Sequence, residues 1–197
     1  SMDRAEQELD ILEKISQILS DAMELGQVFQ RAMALLSDRL EITRAALVLW
    51  DPAIRQSRIV ASVGMTPAEQ ERGRYAAGEG VTGKVLQSGE PAVIADVADH
   101  PEFLNRTGGR QLDGEGDRAG KRQISFIGVP IRDGERVVGV VTADIPFHNN
   151  SQLHANARLL KIIAGSFAQA IRIHQLVQLE KDQWLEENQR LRDTLRS

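Results

Sequence analysis

Apolar positions at three- and four-residue steps open the chain: Leu9, Leu12, Ile15, Leu19 and Ala22 form one stripe of an amphipathic helix. After Gly26, Val28, Phe29, Ala32, Leu35, Leu36 and Leu40 repeat the pattern and predict a second helix. The period then changes. TRAALVLWD (Thr43–Asp51) is almost continuously apolar, and Asp51-Pro52 turns the chain into RIVASVG (Arg58–Gly64), which predicts two strands, the first buried on both faces. Thr66-Pro67-Ala68-Glu69 has capping-box spacing with proline at the first helical position, so a short helix follows. Val81–Ser88 predicts two further helical turns, stopped by Gly89 and Pro91, and AVIAD (Ala92–Asp96) a short strand. QISFIGVPI (Gln123–Ile131) and RVVGVVTADI (Arg136–Ile145) flank Asp133-Gly134, a tight-hairpin signal. From Ser151 onward only Gly165 interrupts a single helical pattern, whose length of ~68 Å exceeds the width of a domain this size. Trp184, Asn188, Leu191 and Leu195 step by four and three residues along its outer half, the seam of a short coiled coil.

The stretch GEGVTGKV (Gly78–Val85) carries two nucleotide-site patterns at once. A phosphate-binding P-loop needs a hydroxyl after its lysine to hold magnesium, and Val85 has none. A dinucleotide fingerprint must follow a buried parallel strand, whereas ERGRYAA (Glu71–Ala77) is too polar to be one. The glycines are therefore expected to serve a sharp backbone turn into a short helix.

Composition narrows the functional classes. The 197 residues suffice for one well-buried domain with appendages, 42% of them apolar and 26% charged, as in ordinary globular proteins. A formal charge of −4 gives no reason to expect nucleic-acid contact by this segment. The absence of cysteine removes disulfides, thiolate catalysis and cysteine-rich zinc sites together, and fits a cytoplasmic protein. No run reaches the ~18–20 apolar residues of a membrane span. Residues 1–8 read as a start outside the fold, with Ser1-Met2 a cloning remnant. Residues 9–175 read as one domain, and 176–197 as a helical linker or coiled coil toward a missing output domain.

The order helix, helix, two strands, GEGVTGKVLQSGEPAVIAD, a variable loop, ISFIGVPI, a DG turn, VVGVVTADI and a long helix resembles a GAF domain over roughly residues 8–175. The resemblance implies an α+β fold: an antiparallel six-stranded sheet flanked by helices, with a long C-terminal helix and ligands between the sheet and covering loops. ERGRYAAGEGVTGKV, HPEFLNRTGG and ISFIGVPI resemble more narrowly the amino-terminal sensory domain of NifA-type nitrogen-fixation activators, which work with the sigma-54 polymerase. It follows from this resemblance that the domain performs no chemistry and needs no cofactor. It would control an adjacent AAA+ ATPase absent from this chain, respond to a small-molecule effector such as 2-oxoglutarate, and meet an anti-activator protein in organisms that have one.

If a dicarboxylate binds, its charges call for arginine forks or backbone N–H groups. Arg106, Arg110, Lys121 and Arg122 bracket the segment RTGGRQLDGEGDRAGKR (106–122), whose five glycines and five basic residues describe a loop. Leu47, Leu49, Ile124, Phe126 and Val141 are candidates for a pocket floor, Phe126 foremost because its strand flanks that loop. Asp144 is a lone carboxylate in an apolar strand and must find a partner or lie at the strand's open end. Asp96, Asp99, His100 and Glu102 resemble a metal cluster, but capping roles around Pro101 explain them and no metal site is expected. Two functions compete: a ligand-binding regulatory module, homodimeric through its terminal helices, and a ligand-free module for dimerisation and protein interaction. An enzyme of the methionine sulfoxide reductase kind is disfavoured, because those depend on cysteines.

Overall fold

A computed structural model describes residues 3–20, 24–101 and 122–196, with only the backbone course given for 15–20. Two helices, α1 (Arg4–Ser20) and α2 (Leu25–Leu40), precede the strands β1 (Arg44–Asp51) and β2 (Gln56–Val63). A six-residue helix α3 (Pro67–Arg72), the two-residue strand β3 (Arg74–Tyr75), helix α4 (Gly80–Ser88) and strand β4 (Ala92–Ile94) follow. A single 3-10 turn (Val97–Asp99) closes that stretch, and β5 (Ile124–Asp133), β6 (Arg136–Pro146) and the 47-residue α5 (Asn150–Arg196) complete the chain.

The strands form one sheet in the order β3-β2-β1-β6-β5-β4, antiparallel at every junction. β1 and β6 lie in the middle, which is why each reads as a near-continuous apolar run. Alternation divides their residues between two faces. Leu47, Val141, Ala143, Ile127 and Val129 turn toward α2 and the first half of α5, joining Phe29, Met33, Leu36, Leu160, Ile163 and Phe167 in the main core. The rings of Phe29 and Phe167 meet at 6.1 Å and lock α2 to α5. Ala46, Val48 and Val140 turn the other way, against Val85 and Leu86 of α4.

Two features of the helical pattern resolve differently. On α1, Leu9 is exposed, whereas Ile11 enters the core and the predicted Leu12 packs against it, because α1 meets α2 and α5 along a stripe turned slightly from the expected one. The hairpin between β5 and β6 places Gly134-Glu135, not Asp133-Gly134, at its tip: Asp133 and Arg136 are the last paired residues, and Gly134 takes the first central position with φ +66°.

Helix α5 changes character along its length. Leu153, Leu160, Ala164, Phe167 and Ile171 are buried, and no described residue beyond Ile171 is. Arg172 donates two bonds to the Asp133 carboxylate at the point where burial ends. No described helix is long and apolar enough to cross a membrane.

Candidate functional site

The glycine stretch is a self-contained turn. The Gly78 amide donates to the Gly83 carbonyl at 2.8 Å, and the Gly83 amide donates to the Glu79 carbonyl at 3.0 Å. The Gly78, Glu79 and Gly83 amides are thus engaged by the loop's own carbonyls. Gly78 and Gly80 have φ of +80° and +64°, which glycine adopts freely. The preceding strand β3 pairs antiparallel with β2 at the sheet edge, so the strand-to-helix geometry of a dinucleotide site does not arise. The turn delivers α4 onto the sheet face opposite the main core. Between α4 and β4 runs a cleft of about 270 Å³, lined by Val81, Lys84, Ser88, Glu90, Ile94 and His100.

On that same face, three strands bring unlike side chains into one row. Phe126 of β5 stands opposite Asp144 of β6, and Asp144 stands opposite Arg44 of β1. Directly opposed residues in an antiparallel ladder have their Cβ atoms ~5 Å apart. All three are buried, with 2% of Asp144 and 8% of Arg44 exposed. Thr142 lies one row further, opposite Ala46 and Gly128, and is also buried. The Arg44 guanidinium donates to the Glu69 carboxylate at 2.9 Å. Glu69 belongs to α3, whose Thr66 hydroxyl accepts from the Glu69 amide at 3.2 Å as an N-cap. Half the capping box is therefore realised, and the glutamate side chain goes to the sheet. A second polar tie, Ser62 to Gln70 at 2.8 Å, also holds α3, which buries no residue of its own.

The predicted site residues separate. Phe126 packs with Val81, Ile94 and Val97, and Ile124 lies against the same cluster. Leu47, Leu49 and Val141 belong to the opposite, helix-side core and cannot share a pocket floor with Phe126 or Asp144. Because β1 is buried on both faces, its apolar run carries no sign of which residues face which way. Arg106, Arg110 and Lys121 fall outside the described residues. Arg122 is exposed and near enough to Glu41 to act on its charge. The Glu41 carboxyl is held below its ordinary value chiefly by a hydrogen bond with His148, opposed by desolvation and aided by the charges of His148 and Arg122. Asp96 caps the 3-10 turn, accepting from the Ala98 amide at 3.0 Å. Glu102 lies outside the described residues, and no group of three or more metal-ligating side chains occurs among those described.

Arg44 is the residue that sequence reasoning passed over. A signal existed: Arg44 and Asp144 are lone opposite charges, each near one end of an apolar run, in strands that the topology places side by side.

Comparison with known proteins places this geometry. The family model for the GAF domain matches residues 24–171. "Nitrogen fixation protein VnfA" of Azotobacter vinelandii is 31% identical over 187 residues, covering 95% of this chain and 35% of that protein. A "Nif-specific regulatory protein" of Herbaspirillum seropedicae is 35% identical over 187 residues, covering 93% of this chain and 33% of that one. The chain thus spans about a third of the length of these curated relatives. Among solved structures, the A. aeolicus nlh2 GAF domain in an inactive state superposes with a TM-score of 0.72 at 24% identity, covering 85% of this chain and 97% of that chain. Free methionine-R-sulfoxide reductase from Neisseria meningitidis, in complex with its substrate, superposes at 0.63 with 20% identity, covering 88% and 95%.

Proposed function

The chain belongs to the GAF domain family, and from that premise we propose that it is the sensory module of a NifA-like activator of nitrogen-fixation genes. It binds a small anionic metabolite, 2-oxoglutarate first among them, and performs no chemistry. Occupancy biases α5, and through it an adjacent AAA+ domain and the geometry of a homodimer built on the terminal helices. In organisms that carry an anti-activator protein, the same domain receives it. The likeness to nitrogen-fixation regulators over 93–95% of this chain supports the regulatory context.

One observation carries the ligand reading: a buried arginine, held by Glu69, and a buried aspartate stand next to Phe126 in one cross-strand row of a largely apolar sheet face. Burying charge costs several kcal/mol per ion, and a packed apolar row would be cheaper. A planar guanidinium offers a carboxylate two parallel donors. The mechanism requires that the ligand bind two states of the domain unequally, because equal affinity shifts no population.

Titration calorimetry of 2-oxoglutarate into the 197-residue chain tests the reading. For a Kd of ~1 mM, 10 mM ligand adds ~1.4 kcal/mol of stability, a rise in Tm of roughly 3–6 °C for a chain of this size. No heat and no thermal shift at that concentration reject it. The second reading, a ligand-free interaction module, would then stand. It is favoured by the packing of Val48, Val140, Val85 and Leu86, which fills the sheet face beneath α4.

A further inference from the structure

Beyond the core-facing stripe, α5 carries a second line of large apolar residues. Ile162, Ile173, Trp184 and Leu195 are spaced by eleven residues each, and all are more than half exposed. Eleven residues make three turns at 3.67 residues per turn, so these four side chains lie in one nearly straight row. The row is ~50 Å long. It begins on the part of α5 whose other side is core and continues into the part where no described residue is buried.

Along the outer half of the row the flanks differ in charge. At this repeat Lys181 and Arg192 fall on one side of it, and Glu180 and Glu187 on the other. In a parallel pair of helices each basic flank meets the partner's acidic flank, whereas an antiparallel pair sets like charges against each other. Gly165 lies beside the row on the acidic side. A Cβ built there meets nothing within 4 Å, so no described neighbour requires a glycine, although glycine is the weakest helix former after proline. Ser166 and Ala170 keep the surrounding surface low, as close approach of a second helix requires.

We propose that a second copy of this chain docks along the whole row, parallel and in register from Ile162 to Leu195, with the two α5 helices crossing closest near Gly165. This rests on the homodimer of the preceding reading and adds its orientation and extent. Pairing begins on the globular body, not only at the Trp184–Leu195 end, and both copies present their Arg196 ends on the same side.

The chain has no cysteine, so single cysteines report position cleanly. Ser166→Cys, Val177→Cys and Asn188→Cys lie close to the row, and Asp182→Cys lies on the far side of the helix. Sedimentation of the wild-type chain should give a dimer. Under mild oxidation the three near-row variants should each cross-link at least ~10-fold faster than D182C. Gly165→Leu should keep the helical circular dichroism and weaken the dimer at least ~10-fold. Lys181→Glu with Arg192→Glu should weaken it too, and Glu180→Lys with Glu187→Lys added should restore it. A monomer at tens of micromolar overturns both the inference and the dimer it rests on. A dimer in which S166C links no faster than D182C confines pairing to the outer half and overturns the inference alone. Linking at a single position means antiparallel helices and does the same, as does a G165L chain that dimerises like wild type.

Discussion

Replacing Gly83 with alanine adds one methyl group inside the turn that seats α4, and the structure sets its consequences. The new Cβ would stand 2.5 Å from the Ala76 carbonyl oxygen and 3.2 Å from the Gly78 carbonyl carbon. Both are backbone atoms, so no side chain can swing aside. The loop 76–78 must move away, and the 2.8 Å bond from the Gly78 amide to the Gly83 carbonyl opens. Overpacking of this kind costs ~1–3 kcal/mol, and the lost bond about 1 kcal/mol. Alanine returns ~1 kcal/mol as the better helix former. The net expectation is a loss of about 1–3 kcal/mol, or roughly 2–12 °C in Tm at 2–4 °C per kcal/mol for a chain this long. Urea unfolding followed by tryptophan fluorescence reads it, since half-buried Trp50 packs against the sheet face that α4 covers. The slope of the transition should stay the same while its midpoint falls. A G83A midpoint at or above that of wild type would refute the close-approach account of this glycine.

Three further expectations follow from other contacts. Glu69→Ala removes the α3 carboxylate from buried Arg44; because Glu69 keeps 18% side-chain exposure, the loss should be about 2–3 kcal/mol, somewhat under the ~3–5 kcal/mol of a fully buried pair, and an unchanged unfolding midpoint would show that the pair is dispensable. Phe167→Ala empties the contact that joins α5 to α2 and should cost ~3–5 kcal/mol by denaturant titration. The Glu41 carboxyl sits below its ordinary 4.5, so its share of stability is present above that value and fades as pH falls through the lowered one. His148→Ala should bring the NMR-titrated Glu41 carboxyl back up toward its ordinary range; no movement would mean that His148 does not hold it.

Much of the architecture was legible because pattern and topology agree. The two central strands read as long apolar runs since both their faces are covered, and the Gly89 stop and Thr66 cap appear where they were expected. The same double burial hid the orientation of Leu47 and Leu49. A run without alternation has no parity, so only the register with β2 and β6 assigns its faces. Arg44 escaped for a related reason. Its meaning lies in a partner a hundred residues away, and pairing of single charges becomes visible only once neighbouring strands are aligned. The burial of Ile11 in place of Leu9 on α1 shows the limit of helical periodicity: neighbouring stripes share residues such as Leu12, and the helices already in place choose between them.

The clamp between Arg172 and Asp133 marks the fulcrum of a lever. From there the unbroken helix runs another 24 residues to Arg196, an arm of ~36 Å. A tilt of about 5° in the seat of Phe167 and Ile171 swings the tip by ~3 Å. Stiffness thus does the amplifying, and a single helix-breaking residue past the fulcrum would silence the tip while leaving the seat intact.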